Sequence, residues 1–397
     1  MDRARLFELY RRHVNAGKIE MFTHLGLDAV IGRREGIRFW DAFDERSWIN
    51  CHCNGGVFNL GHRHPDVVRA VSESLAVVDI GNHHLPAPSR AELARRLSAT
   101  TGDHLSGVVF GVSGGEAIDV AIKAARAATQ RSGIVSASGG YHGHTGLALA
   151  AGDPEYRDPF GPNQPGFAQV PFNDLSAVAA AVDEDTAAVL LEPVPATLGM
   201  PIPDDDYLPG VQELCRERGA LLILDEVQTG LGRTGKLWAY QHWGLEPDVI
   251  VTAKALSGGV YPITATMMTP AVHRVFDEHP FIHVSTAGGA EPGCTAALAV
   301  LDVVEAPGFL DRIVALGEGF AEGLSGLPFT LRRLGMMMGL AFPAADAGIL
   351  AAKLLFDAGI FSVYAGNDTS VLQFLPPLTT TDEEADEIIE IVRSVFA

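Results

Sequence analysis

The chain has 397 residues, 47% of them hydrophobic and 20% charged, enough apolar material for a large core and unlike a disordered or fibrous protein. Its 29 basic and 49 acidic residues leave a net charge of -20, which opposes binding to nucleic acid or to an anionic membrane face. Only five of the basic residues are lysines, Lys18, Lys123, Lys236, Lys254 and Lys353, so each amine can be weighed singly.

The N-terminus meets Arg3, Arg5, Arg11 and Arg12 without an uninterrupted apolar stretch, so no signal peptide is expected. No apolar run reaches the roughly 18 to 20 residues of a membrane helix. Cysteine is sparse (Cys51, Cys53, Cys215 and Cys294), which suits a reducing cytoplasm better than a disulfide framework.

In chain order, the first patterned element is Pro65 to Leu75, where Val67, Val68, Val71 and Leu75 recur at helical spacing. Ser89 to Glu92 reads as a capping box at a helix start. Short apolar runs then alternate with helical patterns: Val108 to Phe110, Ile134-Val135, Val189 to Leu191, Leu221 to Leu224, Val249 to Val251 and Thr264 to Met268. That alternation predicts an α/β domain on a mainly parallel sheet covered on both faces, with ligands at the carboxyl ends of the strands. Beyond about Gly293 a helical stretch near Thr295 to Val304 precedes two strand-like segments, Leu331 to Phe342 and Val371 to Leu375. A second capping box at Thr381 to Glu384 opens a final helix. The expected division is an N-terminal segment, 1–50, packing with a small α+β domain, 293–397, beside a large α/β domain, 51–292.

Two motifs mislead. Gly230 to Lys236 fits a dinucleotide fingerprint and most of a P-loop. However, Leu237 stands where a P-loop needs Ser or Thr, and Asp225 to Thr229 separates the strand from the glycines. Cys51-His52-Cys53 with His62 and His64 offers soft metal ligands at a spacing unlike structural zinc sites, and no metal is expected.

Three other features make a chemical set. Ser113-Gly114-Gly115-Glu116 follows a strand and opens a helix. It is both a capping box and a place where backbone amides can approach an anion at the positive end of the helix dipole. Asp225 ends the apolar strand Leu221 to Leu224, where a carboxylate needs a cationic partner. Lys254 follows Val249 to Thr252 in an apolar setting that lowers an amine's pKa and makes it an imine-forming nucleophile. A phosphate cradle, a buried acid for a pyridinium proton and a buried lysine for a Schiff base are the three contacts that pyridoxal 5'-phosphate requires.

At these residues the sequence resembles the class III aminotransferases, of the ornithine, acetylornithine and ω-amino acid type, which belong to fold type I of the pyridoxal-phosphate enzymes. The resemblance runs along nearly the whole chain. It is clearest in Leu222 to Gly230 and Pro247 to Gly259, and extends to Asn59 to Pro65, Gly139 to His144, Glu192-Pro193-Val194 and Thr286 to Gly289. It implies a large seven-stranded sheet domain with a smaller α+β domain, and a homodimer with shared active sites. It further implies that Lys254 forms the internal aldimine and moves the proton between substrate carbon and cofactor. Asp225 would keep the pyridine nitrogen protonated and Gln228 would reach the phenolic oxygen. Tyr141 and Val227 would cover the two ring faces. Ser113, Gly114 and Gly115 would hold the phosphate, completed by Thr286 from the neighbouring subunit.

The sequence departs from this pattern where many members hold an α-carboxylate bidentately with an arginine. Here that position is Gln373, and the glutamate that masks the arginine is replaced by Thr197. Either Arg33, Arg34, Arg63 or Arg233 takes the carboxylate, or the principal substrate has none there. The expected activity is transamination between an amine donor and an aldehyde or ketone. Racemisation, epimerisation, aminomutation and decarboxylation on the same scaffold are the alternatives. Gly288-Gly289-Ala290-Glu291-Pro292 also departs from the family's GGNP segment.

Overall fold

A computed structural model describes all 397 residues. Strands β1 (Ile31–Glu35), β2 (Arg38–Asp41) and β3 (Ser47–Asn50) form an antiparallel meander. The large sheet uses β4 (Gly107–Gly111), β5 (Gly133–Ala137), β6 (Phe167–Val170), β7 (Thr186–Leu191), β8 (Leu221–Asp225), β9 (Val249–Thr252) and β10 (Thr264–Met268). The C-terminal region carries β11 (Thr330–Leu334), β12 (Met337–Ala341), β13 (Ile360–Phe361), β14 (Val363–Ala365) and β15 (Asp368–Phe374).

The large sheet has the order β4-β10-β9-β8-β7-β5-β6. Its strands pair in parallel except β10, which runs antiparallel to both β4 and β9. The apolar runs are continuous because both faces are packed. Leu222, Leu224 and Ile250 enter one core with Val189 and Leu191, while Ile223, Val249 and Val251 enter the opposite core with Ile118 and Ile122 of the helix Gly114–Thr129. Each such side chain contributes about 1.5–3 kcal/mol of transfer free energy, so this sheet is the rigid platform on which the site is built.

Two further sheets flank it, β1-β2-β3-β13 and β11-β12-β15-β14. The parallel pairing of β3 with β13, Ile49 opposite Ile360, ties residues before 50 to the C-terminal region. No single helix is long and apolar enough to cross a membrane.

Three sequence expectations change. The segment Leu331 to Phe342 is a hairpin of β11 and β12 turning at Gly335, whose φ of +57° suits a residue without a Cβ. The helix Pro88–Ala99 starts one residue before Ser89, with Ala87 at its cap. Proline at the first helical position fixes that start. Ser89 Oγ is then free to donate to Glu291 Oε2 (3.2 Å), in the first turn of the helix Glu291–Val304. This contact gives Glu291 a role, because it joins the starts of two helices and puts a carboxylate at a positive helix end; nothing in the structure explains Ala290. Finally, β6 carries no apolar run, and its Phe-Ala-Gln-Val sequence hid it.

Candidate active site

The carboxyl edge of the large sheet gathers the predicted residues around one cavity of about 600 Å³. Ser113 follows β4, Tyr141 and His142 follow β5, Glu192 follows β7, Asp225 ends β8 and Lys254 follows β9. Because β10 runs the other way, its amino end lies at this same edge, with Thr264 opposite Gly111. That reversal is why Val260, Tyr261, Pro262 and Ile263 also line the cavity.

Lys254 is held in the left-handed region at φ +37°, a strained conformation that persists only where packing over-determines it. Its Nζ donates to Gln228 Oε1 at 2.9 Å. Burial pushes the amine below its ordinary pKa, against the opposing pull of Asp225 and Glu192. Gln228 Nε2, buried at the same spot, has no partner within the protein, and neither does the Thr264 hydroxyl. Both residues line the cavity, and unpaired buried polar groups there describe a polar ligand site.

Asp225 accepts the backbone N–H of Val227 on Oδ1 (3.0 Å) and pairs through Oδ2 with His142 Nδ1 (2.8 Å). Burial disfavours protonating His142, but the Asp225 hydrogen bond outweighs it and the histidine's pKa is raised. Glu192 Oε1 accepts the Tyr141 N–H at 2.8 Å, fixing the loop that carries the ring, and burial pushes this carboxyl up to about 7. Ser113 caps the helix Gly114–Thr129, its Oγ accepting the Glu116 N–H at 3.3 Å. Glu116 Oε2 accepts from Val112 rather than from Ser113, so only half of the expected capping box forms. At Gly115 a Cβ would fall 2.6 Å from Thr145 Oγ1, so glycine is what lets the Thr145 side chain pack against the helix start.

The structure thus brings together Ser113, Gly114, Gly115, Tyr141, Asp225, Val227, Gln228 and Lys254. Thr286 is exposed and lies outside this cavity. His142 and Glu192 are additions to that set. The pairing of His142 with Asp225 spans 83 residues, and the one signal for His142 was its place in the Gly139 to His144 motif.

No arginine lines the cavity. Arg33 stacks over the Trp40 ring (3.7 Å to its centroid), Arg34 donates to Gly32 O, and Arg63 lines a different groove with Glu35 and Arg69. Arg233 is wholly buried among Asn59, Met336 and Pro376. Gln373 points its amide at Tyr364 O (3.5 Å), and Thr197 Oγ1 donates to Gly139 O (2.9 Å). The Gly230 to Lys236 loop is likewise absent from the cavity wall, and the four cysteines are buried free thiols.

The sequence matches the Aminotransferase class-III family over residues 23–396. The chain is a class III aminotransferase. An uncharacterized aminotransferase of Archaeoglobus fulgidus is 51% identical over 98% of this chain and 93% of its own length. A putrescine aminotransferase of Pectobacterium atrosepticum is 36% identical over 98% and 87%. Ornithine aminotransferase of Toxoplasma gondii superposes with a TM-score of 0.90 at 27% identity, covering 100% of this chain and 95% of that one. A second structure of that enzyme reports pyridoxal phosphate at its active site. This aminotransferase is accordingly pyridoxal-phosphate-dependent, acting on small-molecule amine and carbonyl substrates.

One neighbour of the site gives a stability test. Glu226 is buried beside Asp225, and burial pushes its carboxyl up to about 7 although Thr229 and the Tyr240 amide donate to it. A raised carboxyl pKa means the fold holds a proton that the unfolded chain releases, so ionisation destabilises this aminotransferase as pH rises towards 7. Glu226→Gln is expected to gain stability relative to wild type between about pH 5 and about pH 8, read from melting temperatures across that range. A pH-independent difference would contradict the assignment.

Proposed function

We propose that this aminotransferase holds its cofactor on Lys254 and takes as amino donor a primary amine with no carboxylate on the reacting carbon. When bound, the cofactor supplies an electron sink conjugated to the amine-bearing carbon of the substrate. The residues present fit that group. Gln228 Nε2, a buried donor with no protein partner, would reach its phenolic oxygen, and the backbone amides of the helix start after Ser113 would meet its phosphate.

Asp225 would keep a proton on the pyridine nitrogen. His142 holds that carboxylate in place through its Nδ1 hydrogen bond. Tyr141 and Val227, both lining the cavity, would cover the two ring faces. Lys254 Nζ would hold the cofactor and, once displaced by the substrate's own amine, would be free to take and return the proton on the substrate carbon; its lowered pKa favours the neutral amine this requires.

One observation carries the substrate reading: no arginine lines the cavity, and its one lysine, Lys254, stands beside the carboxyl groups of Glu192 and Asp225. A carboxylate entering it would lose a charge-assisted hydrogen bond of about 1.5–3 kcal/mol. An uncharged or amine-bearing substituent meets Val57, Phe58, Val260 and Ile263 instead. The relative named for putrescine, a diamine without a carboxylate, agrees with this. Two further readings go with it. A homodimer is supported by exposed Ile80, Leu85, Phe281, Ile282 and Val284 on the segments next to Thr286, which would serve the neighbouring phosphate site. A cytoplasmic location is supported by four unpaired cysteines.

A panel of amines, diamines and amino acids mixed with holoenzyme, followed by loss of the cofactor's visible band, tests the proposal. Amines without a carboxylate are expected to react at least about tenfold faster than glutamate. Glutamate reacting as readily as the best amine would overturn it. Racemisation of a chiral amine without an acceptor would favour the isomerase alternative.

A further inference from the structure

Arg233 is wholly buried, and its partners include no carboxylate. Its guanidinium donates to Asn59 Oδ1 (3.2 Å from Nε), Met336 O (3.1 Å) and Pro376 O (2.8 Å). Its own carbonyl accepts the Met336 N–H at 2.9 Å. A buried guanidinium without a counter-ion is costly, so the three acceptors are informative. One lies in the connection after β3, one at the turn between β11 and β12, and one after β15. Arg233 therefore fastens the post-β3 connection to the C-terminal sheet.

That connection contains the most unusual backbone in the chain. Cys53, Asn54, Gly55 and Gly56 have φ of +52°, +51°, +65° and +98°, four left-handed residues in a row. Left-handed residues are tolerated singly, and Cys and Asn pay a steric cost there. Asn50 Oδ1 pins the entry of the turn, accepting from Cys53 N (2.8 Å) and His52 N (3.2 Å). Both flanks are bonded to the C-terminal region: Leu375 N donates to Cys51 O (2.6 Å) and Leu378 N to Asn59 O (2.7 Å).

The strained turn lies beside the reactive amine. A Cβ at Gly55 would lie 3.3 Å from Lys254 Nζ and 3.5 Å from Gln228 Oε1, and one at Gly56 would lie 3.4 Å from Asn59 Oδ1 and 3.8 Å from Gln228 Cγ. Arg233 thus bonds Asn59, and the glycines of the turn face Asn59 on one side and Lys254 and Gln228 on the other.

We propose that Arg233 is a positioning residue for the reactive amine: through Asn59 it holds the Cys53–Gly56 turn against Lys254 and Gln228. The seating of the C-terminal sheet thereby sets the surroundings of Nζ. This rests on the reading that Lys254 carries the cofactor. Arg131 supplies a control, since its Nη1 also clamps three carbonyls, Thr186 (3.2 Å), Arg218 (2.8 Å) and Gly219 (3.0 Å), at the opposite edge of the large sheet.

The test titrates the visible band of holoenzyme with pH, alongside melting temperature, kcat and KM. The titratable groups around Nζ, namely Asp225, Glu192, His52 and His142, are unchanged in every variant. Arg233→Lys is expected to shift the midpoint of the band by about one pH unit and lower kcat about tenfold with a smaller effect on KM. Arg131→Lys is expected to lose melting temperature alone. Should Arg233→Lys fail to fold, Gly55→Asn decides, because asparagine tolerates the left-handed region and places atoms against Nζ with Arg233 intact. A shifted midpoint supports the proposal. An Arg233→Lys variant that matches Arg131→Lys, or a Gly55→Asn variant with the wild-type midpoint, would overturn it. Wild-type protein that shows no visible band with pyridoxal phosphate would instead refute the role of Lys254.

Discussion

Replacing Lys254 by alanine is expected to abolish the visible band of the bound cofactor and to lower turnover by at least about 10⁴-fold. The geometry makes this a clean deletion. Lys254 already sits at a positive φ, and alanine bears the same steric cost there, so the backbone loses nothing by the change. The amine is buried with its Nζ bonded to one side chain, Gln228. Deleting a buried ionisable group removes its desolvation cost along with its chemistry. The variant is therefore expected to stay folded by circular dichroism, with lost activity arising from chemistry. A variant that keeps more than about one-tenth of wild-type turnover would show that another group moves the proton.

The second large effect is expected from Asp225→Asn. Asparagine keeps the shape of the side chain and an acceptor for the Val227 N–H, but it cannot hold a proton on a pyridine nitrogen by charge. Removing one preorganised electrostatic contact costs about 10²- to 10³-fold in kcat, and a loss in that range is expected in single-turnover reaction with an amine. His142 gives a check from the other side. Its raised pKa depends on the Asp225 hydrogen bond winning over burial, so in Asp225→Asn the His142 ring is expected to titrate lower, measurable by NMR. A rate within about threefold of wild type would mean that the pyridine nitrogen does not need its proton.

How much of this was legible in the sequence depended on the range of the interaction. Asp225 and Lys254 could be read because each terminates a short apolar run whose alternate residues face two cores, as Ile223 and Leu224 do. The cap of Ser113 on the Glu116 amide is local, and so is the reciprocal box of Thr381 and Glu384. The Ser89 box failed because Pro88 at the first helical position took over the start, which left Ser89 for a partner 202 residues away. The direction of β10 could not be read from Thr264 to Met268, since an apolar run does not state its polarity, yet that direction decides whether Val260 to Ile263 face the site. Arg233 was weighed as a carboxylate ligand because burial is invisible in sequence; in the fold it is sealed by carbonyls from β11–β12 and from the residues after β15.

Of the five lysines, Lys254 alone lines the cavity. Reducing holoenzyme with borohydride and mapping the pyridoxyl-modified peptide by mass spectrometry tests its role most directly. Modification confined to the peptide containing Lys254 is the expected result, and a pyridoxyl group on Lys18, Lys123, Lys236 or Lys353 with Lys254 unmodified would contradict it.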